Sequence, residues 1–166
     1  MTDDRIAGPP DTERTVGGSG RGKPALPGAH SKPAMNGYVG PIDRAAIEND
    51  NFRQVLFTGP HMQLVVMSLG PGEDIGKERH PSLDQFFRVE QGEGEVVFHG
   101  TEHYRLEDGD AILVPAGTWH NVINTSSSLP LKLYTLYAPP NHARGTVHRT
   151  KADAEAGEAA THSSGN

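Results

Sequence analysis

Short apolar runs alternate with turns rich in glycine and proline along the middle of the chain. The pattern predicts strands at residues 52–57, 62–69, 84–90, 95–100, 111–115, 119–124 and 131–139. One short helix is predicted at residues 43–50. Many short strands at this spacing indicate an all-β protein, either a sandwich or a barrel.

Strand alternation predicts which side chains of residues 84–90 face the core, because neighbours on a strand point to opposite sides. Gln85, Phe87 and Val89 share the more apolar face, so we expect them to point inward, with the polar Gln85 at the inner end. Phe86 then points outward, where an aromatic side chain favours a contact between subunits. We therefore expect a homodimer.

The segment before that strand has the same alternation, but its inward residues are polar. Lys77 and Arg79 share a face and prefer water, so Glu78 and His80 point the other way. A buried carboxylate and a buried imidazole need partners, because unpaired burial is costly. A metal ion would satisfy both side chains.

The two ends of the chain differ in composition from the strand-rich part at residues 37–148. Residues 1–36 are dominated by Gly, Pro and Ser and cannot bury enough surface to offset their ordering entropy, which predicts a flexible arm. Residues 149–166 are predicted to be a polar tail. Thr150 and Asp153 resemble a capping box, so at most a frayed, solvated helix is expected there.

Composition limits the classes of partner and of site. The 166 residues carry a formal net charge of -6 and include no basic cluster, so we expect neither nucleic acid nor a membrane as a partner. The absence of cysteine excludes thiolate metal sites and a cysteine nucleophile. The N-terminal residues lack the pattern of a signal peptide, and the expected location is the cytoplasm.

One segment matches a motif of a known family at every position. The sequence GDAILVPAGTWHNVIN places Gly109, Pro115, Gly117, His120 and Asn124 at the spacing of the second motif of cupins. The chain therefore resembles a single-domain cupin, and in particular the small proteins described as mannose-6-phosphate-isomerase-like. The resemblance implies a jelly-roll barrel with a metal ion at one open end.

The first cupin motif is present in a modified form. His80 stands at its second histidine and Gly92 at its closing glycine, whereas Glu78 replaces the first histidine and Gln85 replaces the glutamate. The exchange keeps one formal negative charge among the ligands, so we interpret it as a relocation of the carboxylate. In an alternative interpretation the metal has been lost, with Glu78 paired to a neighbouring cation and Gln85 bonded to backbone groups.

The resemblance implies one divalent ion, with zinc, iron, manganese and nickel as candidates, held by Glu78, His80, Gln85 and His120. Gln85 would be the weakest ligand. Two histidines and one carboxylate also match the facial triad of non-haem Fe(II) enzymes. Phosphomannose isomerases share this fold and hold zinc with Gln, His, Glu and His, which are the same ligand types in a different order.

Three functions stay open from the sequence. The first is a metal-dependent enzyme acting on a small oxygen-rich molecule in the barrel mouth, with isomerase or lyase chemistry and sugar phosphates as one substrate class. The second is an Fe(II) dioxygenase, and the third is a module that binds a metal or a ligand without catalysis. His61, Tyr134 and Glu93 are candidate bases only because side chains of these types can transfer protons.

The predicted arm can be tested by deleting residues 1–34. A segment with so little apolar surface contributes little to stability, so the thermal unfolding midpoint should stay nearly unchanged. A loss of several degrees, measured by circular dichroism on heating, would show that the arm is packed.

Overall fold

The computed structural model describes residues 37–163, so the predicted arm at residues 1–36 lies outside the described residues, as do residues 164–166. No helix within the described part has the length and apolar character needed to cross a bilayer. The elements, in chain order, are α1 (Ile42–Glu48), β1 (Arg53–Thr58), β2 (Gln63–Leu69), β3 (Asp84–Gln91), β4 (Gly94–Phe98), β5 (Glu102–Leu106), β6 (Ala111–Val114), β7 (His120–Asn124), β8 (Leu131–Ala138), β9 (Val147–His148) and α2 (Lys151–Ser163).

The strands form two antiparallel sheets that share one core. The larger sheet has the order β6-β3-β8-β2-β1-β9, and the smaller has the order β5-β4-β7. Phe87 and Leu133 of the larger sheet belong to the same buried cluster as Val96 and Val122 of the smaller one. The predicted all-β jelly roll is therefore confirmed.

The side chains of β3 alternate as predicted. Gln85, Phe87 and Val89 are buried, whereas Phe86 is partly exposed on the outer face of the larger sheet. There the ring of Phe86 lies 6.0 Å from the ring of Tyr134. The homodimer that we expected from Phe86 stays a prediction.

A buried lysine fixes α1 against the outer face of the larger sheet. Lys132 on β8 is only 5% exposed, and its Nζ donates to Asn49 O at 2.6 Å and to Asp50 Oδ1 at 3.0 Å. Both acceptors follow the last residue of α1. Because an unpaired buried ammonium group is very unfavourable, these two bonds hold the end of the helix in place.

The first turn of the C-terminal helix α2 is packed, whereas the sequence predicted at most a frayed, solvated helix. The capping box is present, since Thr150 N donates to Asp153 Oδ2 at 3.0 Å and Asp153 N donates to Thr150 Oγ1 at 3.2 Å. Ala154 is buried, and Lys151 Nζ contacts Asp74 Oδ1. Alanine is small enough to let the first turn approach the barrel, so this turn is packed and not solvated.

Two edge strands were missed by the sequence prediction. β5 lies at one edge of the smaller sheet and β9 at one edge of the larger sheet. Four of the five residues of β5 are exposed, and β9 has only two residues. Neither strand has the apolar face on which the prediction of strands relied.

Asn124 joins three separate parts of the barrel. It is 1% exposed, and its Nδ2 donates to Leu69 O at 3.0 Å, to Gly70 O at 2.9 Å and to Leu129 O at 2.9 Å. Its Oδ1 accepts from Ser126 N at 2.9 Å. One side chain therefore links β7 to the end of β2 and to the loop before β8.

Replacing this side chain should destabilise the barrel. Asn124→Ala leaves buried carbonyl groups without a donor, so we expect the free energy of unfolding to fall by about 2–4 kcal/mol. Asn141→Ala is the matched control, because Asn141 is exposed, and should change it by less than about 0.5 kcal/mol. Urea denaturation measures both, and a similar small effect at the two positions would contradict this role of Asn124.

Candidate metal centre

An isolated β-bridge sets two of the predicted ligands side by side. Glu78 N donates to His120 O at 2.9 Å, and His120 N donates to Glu78 O at 3.0 Å. Residues directly opposite each other in an antiparallel pair present their side chains on the same face. His80 follows Glu78 by two residues and therefore shares that face.

The side chains of Glu78, His80 and His120 converge at the end of this bridge. Glu78 Oε1 lies 3.3 Å from His80 Nε2 and 3.3 Å from His120 Nε2. One ligand atom from each residue lies within 4.8 Å of the others, so this group could hold a metal ion. The His120 side chain is fully buried, while those of His80 and Glu78 are 16% and 21% exposed.

The hydrogen bond of the His120 imidazole leaves its other nitrogen free to accept at the converging group. His120 Nδ1 lies 3.1 Å from Thr118 O, and a ring nitrogen can bond to a carbonyl oxygen only by donating its proton. A neutral His120 therefore presents a lone pair at Nε2. Among the described residues, neither His120 Nε2 nor His80 Nε2 has a hydrogen-bond partner. A cation at their centre would satisfy these nitrogens and the carboxylate together.

The carboxyl group of Glu78 is held in its ionised form. Burial alone would raise its pKa, but the two imidazoles 3.3 Å from its Oε1 outweigh burial and lower the pKa of Glu78 to about 2. The ionised carboxylate is the form that binds a cation. The neighbouring cations are placed elsewhere, since Lys77 Nζ and Arg79 Cζ lie 5.2 Å and 5.3 Å from the ring centre of Trp119.

Gln85 is buried with its amide oxygen free among the described residues. The residue is 2% exposed, and Nε2 donates to Thr135 Oγ1 at 3.2 Å, while Oε1 is buried without a partner. The amide thus bonds a hydroxyl group and not the backbone. Gln85 is paired in register with Tyr137, whose ring lies 5.8 Å from that of His80, so Gln85 belongs to the same end of the barrel.

The three side chains suggested as bases do not lie at this group. His61 is exposed in the turn between β1 and β2, and Tyr134 packs against Phe86 on the outer face of the larger sheet. Glu93 accepts from Arg105 Nη2 at 3.3 Å at the surface. Their residue types suit proton transfer, but their elements point them away from the barrel interior.

The sequence analysis missed two aromatic neighbours of the group. The position of Tyr137 on β8 points its side chain inward, and the residue is 1% exposed. Its ring lies 5.0 Å from the ring of His142. Alternation along β8 could have identified Tyr137. His142 lies in the loop after β8, where no periodic pattern predicts its direction.

A separate cavity lies on the outer face of the smaller sheet. It measures about 250 Å³ and is lined by Lys77, Val97, Gly100, His103, His120, Asn121 and Ile123. Neither Glu78 nor His80 lines it, so it is distinct from the space between the three converging side chains.

Comparison with known sequences identifies both a family and close relatives. The family model described as "Cupin domain" matches residues 65–137. The uncharacterized protein YrkC of Bacillus subtilis (strain 168) is 56% identical over 126 residues, which is 73% of this chain and 67% of that protein. The uncharacterized protein L612 of Acanthamoeba polyphaga mimivirus is 44% identical over 114 residues, covering 66% of this chain and 70% of that protein.

A solved structure agrees with these sequence relatives. The crystal structure of BH2720 from Bacillus halodurans has a TM-score of 0.69 and 50% sequence identity, covering 72% of this chain and 93% of that chain. The family match falls on the strands that build both sheets. Together with the second motif ending at Asn124, these similarities show that the chain belongs to the cupin family.

Proposed function

We propose that this cupin binds one divalent metal ion through Glu78, His80 and His120, with Gln85 Oε1 as a weaker fourth ligand. The observation that carries the proposal is the convergence of two unpartnered imidazole nitrogens on one ionised carboxylate. Their 3.3 Å separations suit a shared ion, because tetrahedral ligands at about 2.1 Å from a metal lie about 3.4 Å apart.

The donor set suits several first-row metals. Imidazole nitrogen and carboxylate oxygen bind zinc, iron, manganese and nickel, so the choice depends on geometry and supply. Such an ion would act as a Lewis acid that polarises oxygen atoms of a bound molecule. Within the chain, Glu78 contributes the single negative charge, and the two imidazoles contribute neutral donors. Gln85 adds no charge, which leaves the ion more electrophilic than a second carboxylate would.

We infer that the bound ion serves a metal-dependent enzyme that acts on a small oxygen-rich molecule in the barrel mouth. Isomerase or lyase chemistry suits a Lewis acid with one charged ligand, and sugar phosphates are one substrate class of this kind. A second candidate is an Fe(II) dioxygenase, which the combination of two histidines and one carboxylate favours.

The ligand assignment predicts a ranked series of metal affinities. His120→Ala and Glu78→Ala should each abolish stoichiometric binding, because one removes a buried donor and the other the only negative charge. Gln85→Ala should weaken binding by about tenfold at most, since a neutral oxygen is lost. Gln85→Glu should tighten it by adding a second carboxylate. Titration calorimetry with zinc measures all four variants.

His61→Ala is the control for this series, because it removes an exposed imidazole that is not part of the converging group. It should bind zinc like the unaltered protein. Circular dichroism should show a folded barrel in every variant. Full occupancy in His120→Ala would remove His120 from the ligand set, and equal losses in Gln85→Ala and Glu78→Ala would refute the ranking.

The reaction class can be tested by comparing metals. With zinc or manganese bound, we expect turnover of hydroxy-carbonyl compounds of the sugar type, measured by proton exchange with D₂O in nuclear magnetic resonance spectra. An oxygen electrode then tests the Fe(II) protein with diol, enol and phenolic substrates. Oxygen uptake with iron, together with no exchange under zinc or manganese, would favour the dioxygenase over the isomerase.

A further inference from the structure

The loop after β8 is fixed to the core by one buried amide. Gln63 is 0% exposed, and its Oε1 accepts from His142 N at 2.9 Å and from Asn141 N at 3.2 Å. Its Nε2 donates to His142 O at 2.8 Å and to Thr58 Oγ1 at 2.9 Å. Both backbone groups of His142 are therefore bonded to a side chain of β2, which fixes the direction of the histidine.

Fixed in this way, the imidazole of His142 packs against Tyr137, which also packs against the proposed ligand His80. The rings of His142 and Tyr137 meet edge to face at 5.0 Å and 89°. The same tyrosine ring meets His80 at 5.8 Å and 86°. Aromatic pairs at these distances and angles are stable packing arrangements. Three rings therefore connect the loop to a proposed ligand.

His142 is a neutral imidazole with an unpartnered nitrogen. Burial, and next the positive charge of Arg53, lower the pKa of His142 to about 3, although the charge of Glu78 opposes this shift. The ring is therefore uncharged at neutral pH and has one N–H and one lone pair. Its Nε2 is buried and has no hydrogen-bond partner among the described residues.

A buried polar atom without a partner costs about 1–3 kcal/mol, so a molecule that bonds to it gains affinity. His142 is not itself part of the converging group, which among the described residues consists of Glu78, His80 and His120. Because Tyr137 contacts both His142 and His80, the position of His142 suits a contact with a molecule bound to the metal ion.

We propose that His142 Nε2 forms a hydrogen bond with a small oxygen-chelating molecule bound at the metal centre, and that Gln63 positions His142 for this contact. The ligand class is a molecule with two adjacent oxygen donors for the metal and a further polar group for the imidazole. This inference rests on the proposed metal function. His142 lies outside the two cupin motifs.

The test uses the full chain loaded with Co²⁺ and acetohydroxamate as the probe, because this small chelator offers two oxygens and an N–H group. Visible absorption of the cobalt ion reports both metal loading and probe binding. His142→Ala should leave cobalt affinity within about twofold and raise the probe's Kd by about three- to tenfold, which corresponds to one lost hydrogen bond. His142→Gln, which retains a polar group at a similar reach, should recover part of the loss.

Two further variants separate contact from structure. Gln63→Ala should weaken probe binding in the same direction as His142→Ala, whereas His61→Ala, which removes an exposed imidazole, should leave it unchanged. An unchanged probe Kd in His142→Ala overturns the inference alone. Loss of cobalt in His142→Ala also overturns it, because His142 would then be a ligand. Failure of the unaltered protein to bind cobalt, seen before any probe is added, overturns the metal function itself and the inference with it.

Discussion

The two backbone hydrogen bonds between Glu78 and His120 join a segment outside the named strands to the smaller sheet. Without this bridge, Glu78 would be a carboxylate in a loop between β2 and β3. With it, the alternation of an antiparallel pair extends beyond the strands and assigns every side chain of the segment to a face. The carboxylate and two imidazoles then point to one side, while Lys77 and Arg79 point to the other and contact Trp119.

The placement of the carboxylate at residue 78 and of the amide at residue 85 has a physical explanation in burial. Glu78 is partly exposed, whereas Gln85 is buried. A charge is much more costly to bury than an amide, so the carboxylate lies at the position nearer to water. The neutral amide occupies the deeper position, where Thr135 bonds its nitrogen and leaves its oxygen free. The proposed ligands keep one negative charge, and its desolvation cost is smaller than it would be at the deeper position.

The sequence predicted those features that follow from local periodicity. Alternation alone was enough to orient Gln85, Phe87 and Val89, and the same rule applied to Lys77 and Arg79 turned Glu78 and His80 inward. The strand β5 was missed because it is an edge strand with polar side chains on both faces. An edge strand is held by backbone hydrogen bonds to one neighbouring strand. Its side chains can therefore be mostly polar, and its sequence need not show a row of apolar residues.

His142 could not be predicted for a different reason. Its direction is set by Gln63, a residue 79 positions earlier in the chain, through bonds to the backbone of the loop. Such bonds do not depend on the identity of the side chain that they orient. The prediction of a solvated helix after Thr150 was wrong at its first turn, because the alanine side chains were taken to mean that the helix does not pack. Alanine is small, and this size is what permits the close contact of Ala154 with the barrel.

The contact between Trp119 and its two cationic neighbours has a spectroscopic consequence. Trp119 is the only tryptophan of the chain, it directly precedes His120, and 41% of its surface is exposed. Intrinsic indole fluorescence therefore arises at one point, on the opposite side of the bridge from the converging ligands. Any shift of the bridge changes the distance of two positive charges from that indole. The emission wavelength is thus a local optical reporter of the segment that carries the ligands, without an added dye.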